Sequence, residues 1–152
     1  MTEGIQELVR ALGGDPTRWN HVEPSDLAAW FRGIARQMGT TLVRASAELG
    51  DTFSAGRFDL RGSTLYLLRL HGAPYTIWST SSEVGKVEPC VAPIEACAID
   101  YGPATLIDES LMRTRLPLAE WVELGCDRPS LLTWFHPNSR PSVAEVCFNN
   151  YA

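Results

Sequence analysis

The sequence predicts an α+β fold, with two N-terminal helices packed on a mostly antiparallel sheet of about six or seven strands and one short helix near residues 118–124. Three observations predict it. Apolar residues ahead of Gly39 recur at helical spacing, β-branched and aromatic runs divided by short turns follow it, and residues 117–125 place a proline at the start and a glycine at the end of a short apolar segment. The 152 residues, 45% hydrophobic and 20% charged, suit one globular domain over residues 1–152 that needs neither metal nor disulfide to fold.

The first helix is expected over about residues 3–12. Ile5, Leu8, Val9 and Leu12 form one stripe, Thr2 stands at the cap position, and Gly13-Gly14 ends the segment. The second starts at Pro24-Ser25-Asp26, carries Leu27, Trp30, Phe31, Ile34 and Met38 on one face with Arg32 and Arg36 opposite, and stops at Gly39. Both helices are expected to cover the same side of the sheet.

Strands follow at residues 40–45, 52–60, 64–71 and 74–79, with a turn at Arg61-Gly62-Ser63, so that sequence neighbours pair antiparallel. A bulge at Gly56 would bring Phe53, Ala55, Phe58 and Leu60 to one face. Residues 64–71 are apolar on both faces, as a central strand would be. Residues 79–93, rich in Ser and Pro, read as a long loop of the kind that often binds or moves. Further strands are expected at 96–101, 105–111, 131–135 and 143–148.

Charge is unevenly spread. Between Glu83 and Glu123, eight carboxylates (Glu83, Glu88, Glu95, Asp100, Asp108, Glu109, Glu120, Glu123) face only Lys86, Arg113 and Arg115, and this segment accounts for the whole net charge of −5. An acidic surface of that kind suits a basic protein partner, although a charged run also occurs as a plain solvated face. The low pI of about 5.1 and a single lysine exclude a basic stripe for nucleic acid. Twelve arginines against one lysine read as the coding bias of a GC-rich genome. The N-terminal residues lack the basic start and apolar stretch of a signal peptide, and the longest apolar run, residues 27–31, is far short of the ~20 needed to span a bilayer. No membrane is expected, and a cytoplasmic protein is. In that compartment Cys90, Cys97, Cys126 and Cys147 read as free thiols, with a Cys90–Cys97 disulfide as the alternative.

Chemistry-bearing motifs are few. There is no Gly-x-Gly-x-x-Gly, no Walker loop, no metal-ligand spacing and no nucleophile elbow, so no cofactor, metal or catalytic residue is assigned. His71-Gly72 at a strand end resembles the opening of the His-Tyr-Glu site of some ADP-ribosyltransferases, which would make Tyr75 or Tyr101 and Glu145 its partners. Only 81 residues follow it, too few for most of that fold.

Of five tryptophans, Trp78 at the entry to the Ser-rich loop and Trp121 between Glu120 and Glu123 stand beside carboxylates, where an aromatic can anchor an interface. The expected partner-binding residues are therefore Trp78, Glu88, Glu95, Asp100, Asp108, Glu109, Glu120, Trp121 and Glu123. In size, acidity, mixed fold and lack of a catalytic motif the chain resembles the small immunity proteins that bacteria make against polymorphic toxins. The resemblance implies an inhibitor that occludes the active site of a cationic toxin or enzyme. Two other readings stay open: a small enzyme or ligand-binding domain with a pocket between helices and sheet near His71, Tyr75 or Asp100, and a secretion chaperone or adaptor with an apolar groove.

Overall fold

The computed structural model describes residues 3–19 and 27–151. The expected cap at Thr2, the start signal at Pro24-Ser25-Asp26 and His21 lie outside the described residues. Helix α1, Glu3–Leu12, buries Ile5, Leu8, Val9 and Leu12, the stripe its spacing predicts. A 3-10 turn, Pro16–Arg18, follows, held by Asp15, whose carboxylate accepts from the Thr17 amide and hydroxyl. Helix α2, Leu27–Met38, buries Leu27, Phe31, Ile34, Ala35 and Met38 and leaves Arg32 and Arg36 exposed.

The sheet is built from β1 (Leu42–Ser46), β2 (Phe53–Leu60), β3 (Ser63–Leu70), β4 (Tyr75–Ser79), β5 (Pro89–Cys90) and β6 (Thr105–Leu106). The order is β1-β2-β3-β4-β5, antiparallel throughout, and β6 adds parallel to β4 beside β5. The β2–β3 hairpin closes on Arg61-Gly62, both at positive φ, the two-residue geometry whose twist matches that of the strands. β3 sits centrally, as its two apolar faces require.

The two helices do not share a face. Phe53, Ala55, Leu68, Leu70 and Ile77 pack with α1 and the C-terminal helices, whereas Phe58, Leu60, Leu67 and Trp78 pack with α2. Alternation along each strand therefore feeds two cores, and Phe53 and Ala55 can face opposite to Phe58 and Leu60 with all four buried. The expected bulge at Gly56 is unnecessary, and the β2–β3 register runs unbroken from Phe53 opposite Leu70 to Leu60 opposite Ser63. The irregularity lies instead in β1, where Val43 falls between paired Leu42 and Arg44.

The C-terminal third is helical where strands were expected. Helices α3 (Glu109–Arg113), α4 (Leu118–Glu123), α5 (Arg128–Trp134) and α6 (Val143–Cys147) cover the α1 face, and residues 96–101 are a 3-10 turn, Ile94–Ala96, running into loop. Local capping decides this. Asp108, Asp127 and Ser142 each accept from a backbone amide of the helix they precede, satisfying donors a helix otherwise leaves open. Only α4 matches its expected helix, and among the calls for this region only residues 105 and 106 form strand.

Gly56 has a packing role in place of the bulge. A Cβ there would lie 2.5 Å from Phe31 Cδ1, so the ring of α2 rests directly on the sheet backbone. Gly56→Ala is expected to destabilise the protein by about 1–3 kcal/mol through overpacking. Phe31→Leu in the same chain should recover part of the loss. Urea midpoints measure both, and an unchanged midpoint for Gly56→Ala would show that α2 does not lie against β2 as described.

Candidate functional site

Trp78 and Trp121 are not surface anchors, because both are core residues. Trp78 is 1% exposed, packs 5.7 Å from the Phe58 ring and donates its Nε1–H to Tyr101 Oη at 2.9 Å. Trp121 is wholly buried and donates to the Pro141 carbonyl at 3.3 Å. The alternation of β4 turns Trp78 toward α2, and the apolar stripe of α4 turns Trp121 inward with Leu118, leaving Glu120 and Glu123 outside.

The acidic residues divide among three places. Glu88 and Glu109 both lie close enough to Cys90 to raise its thiol pKa, secondary to burial, while Arg113 opposes them and donates to the Pro89 carbonyl. Glu95 and Asp100 stand on the α2 side. Glu95 pairs with Arg61 at 3.1 Å, and Asp100 accepts from the Gly102 amide while its own backbone exchanges hydrogen bonds with the Gln37 side chain. Glu120 and Glu123, on α4, are exposed, and among the described residues neither has an ion-pair partner. Asp108 serves as the α3 cap, Glu109 pairs with Arg113 at 3.6 Å, and Glu83 pairs with Lys86 at 3.5 Å.

The Ser-rich loop is tied at its base. Ser79, fully buried, donates toward the carbonyls of Ser81 and Glu88, and its oxygen accepts from the amides of both. The Thr80 amide also reaches the Glu88 carbonyl. Beyond this tie, Pro89 and Pro93 flank a short turn that leaves Val91 68% and Ile94 70% exposed. Neither was singled out from sequence. The available signal was Pro89 and Pro93 bracketing the apolar run Cys90-Val91-Ala92, because proline has no amide to donate to a strand ladder.

The residues considered for a pocket are not gathered into one. His71 bonds Ser54 Oγ through Nε2 at 2.8 Å, on the α2 side, whereas Tyr75 packs into the opposite core and Glu145, on α6 over that same core, pairs with Arg115 at 2.8 Å. Tyr101 joins the α2-side core, where its hydroxyl also reaches the Ala96 carbonyl. Arg69 lies 7% exposed beside Ser54 across the strand pair, its guanidinium 4.9 Å over the Trp30 ring and its pKa lowered by desolvation. No group of three metal-ligating side chains occurs among the described residues, and none of their helices is long and apolar enough to cross a membrane. All four cysteines are free thiols.

Comparison with protein-family models, with curated proteins and with solved structures found no match.

Burial holds several acids neutral in the α1-side core. The Cys126 thiol is pushed up to about 12, and Cys147 and Tyr151 are raised well above their ordinary values, all chiefly by desolvation. In the unfolded chain the thiols ionise near their usual 9.0, so stability is complete below that pH and falls as pH rises from about 9 toward 12. Urea midpoints at about pH 8 and about pH 10.5 should show the drop. Cys126→Ala with Cys147→Ala should flatten it, and an equal slope in that variant would assign the alkaline loss elsewhere.

Proposed function

We propose that the protein is a protein-binding inhibitor of the immunity-protein kind, which docks the surface around Val91 and Ile94 on a basic partner and covers that partner's active cleft. The observation that carries this reading is the exposure of these two side chains inside the acidic segment. Interface affinity concentrates in a few apolar anchors, and surrounding charge mainly selects the partner and speeds encounter. Val91 and Ile94 take the anchoring role first sought in the tryptophans, with Glu88 and Glu95 nearest them in sequence and Asp100, Asp108, Glu109, Glu120 and Glu123 supplying the wider field. Two prolines and the Ser79 tie limit the conformational freedom this surface loses on binding.

The test is capture from the source lysate at low and high salt. The wild-type protein should retain a basic protein whose capture weakens as salt rises. Val91→Asp with Ile94→Asp should weaken it more than tenfold without altering the far-UV circular dichroism. Glu120→Lys with Glu123→Lys should slow association several-fold and reduce its salt dependence at an unchanged melting temperature. An acidic partner, or one whose affinity ignores Val91 and Ile94, would remove this surface from the function.

A further inference from the structure

A second surface lies at the other edge of the sheet and does not depend on the inhibitor reading. A groove of about 470 Å³ runs between α2 and β1, with Arg32, Arg36, Leu42, Val43 and Arg44 in its lining. Its three arginines are exposed, and none forms an ion pair among the described residues, although the chain is acidic overall and five other arginines are paired. Among the described residues β1 pairs only with β2, so its outer edge offers unmatched backbone donors and acceptors. Val43, half exposed, has no partner opposite it on β2.

We propose that this groove binds an extended acidic peptide segment of another protein, which adds as a strand to β1 and sets its carboxylates against Arg32 and Arg36. Backbone pairing supplies the affinity in such strand addition, and the flanking side chains supply the choice of sequence. The spacing fits. Arg32 and Arg36 are one helical turn apart, about 6 Å along the axis. Carboxylates at alternate positions of a strand are about 6.8 Å apart on one face. Charge complementarity also selects among occupants. A second copy of β1 would bring its own Arg32, Arg36 and Arg44 to the same edge, and like charges facing each other across a strand pair are destabilising.

The probe is a fluorescein-labelled heptapeptide alternating glutamate and valine, blocked at both ends, followed by anisotropy with the full chain. Binding is expected, with slowed exchange of the amides of residues 43–46. Arg32→Ala with Arg36→Ala should weaken it roughly tenfold while the circular dichroism stays unchanged. Val43→Pro, which removes one amide from the edge strand, should also weaken it, and supplies a second readout independent of charge. The same peptide N-methylated at alternate residues, its lysine counterpart, and free citrate should bind at least tenfold more weakly. No binding of the parent peptide would overturn the proposal, as would equal binding of the N-methylated form. Undiminished binding to the double-arginine variant would do the same. Protection of residues 43–46 by self-association without peptide would assign the edge to a second copy of the chain instead.

Discussion

β3 is buried on both faces, and the remaining elements are arranged to cover one face or the other. Leu68 and Leu70 look toward α1, Leu65 and Leu67 toward α2, and the same alternation passes through β2 and β4 to give two cores divided by one sheet. A two-sided sheet needs more helical cover than an N-terminal pair can give. α2 covers one side together with residues 96–101, and lies close enough to require glycine at position 56. α1 covers only part of the other, which α3 to α6 complete. The C-terminal segment is fastened to this side through main-chain bonds from Thr52 to Asn149 and from Tyr151 to Gly50, and through the Thr52 hydroxyl to the Cys147 carbonyl.

How much of this is legible in the sequence depends on whether a segment's period can be read alone. α1, α2 and the four-strand meander span enough residues for period 3.6 and period 2 to separate, and their positions follow to within a few residues. Residues 131–135 and 143–148 are too short for the period to decide, and in that regime capping outweighs pattern. Ser142-Val143-Ala144-Glu145 has the spacing of a capping box, and Asp127-Arg128-Pro129 places a cap and a proline in the first turn. Those are helix starts written in the sequence, and apolar alternation hid them. The expectation that both helices share a face failed for a different reason. Periodicity shows that an element has a buried face but never against what, and nothing local distinguishes a sheet covered once from a sheet covered twice.

The candidate site shows the same division. Net charge by segment is a sum over residues and survives folding, whereas the duty of each carboxylate does not follow from the sum. Asp108 is occupied in capping and the buried carboxylate of Glu95 in a pair with Arg61, whereas Glu83 and Glu109 form ion pairs between side chains open to solvent, of the kind that contributes at most about 1 kcal/mol. Such weak pairs reorganise readily when a stronger cation arrives, so pairing does not withdraw these acids from an interface. Burial does withdraw a tryptophan. Trp78 and Trp121 each hold a core together and bond through the indole nitrogen, and exposing either would open the layer it seals.

With both faces of the sheet occupied, what remains for recognition is its perimeter, and the chain order fixes the sign of each edge. β1 ends the sheet on one side with Arg32, Arg36 and Arg44 around it. β5 and β6 end it on the other, within the segment that carries the whole net negative charge. A molecule polarised across its sheet in this way could in principle associate head to tail, an interface that does not close and tends toward chains of copies. One feature opposes that outcome. The acidic edge is formed by strands of two residues each, too short to template a β1 from a second copy. Under the two proposals the edges are left to partners that bring their own backbone or their own charge, each of sign opposite to the edge it meets.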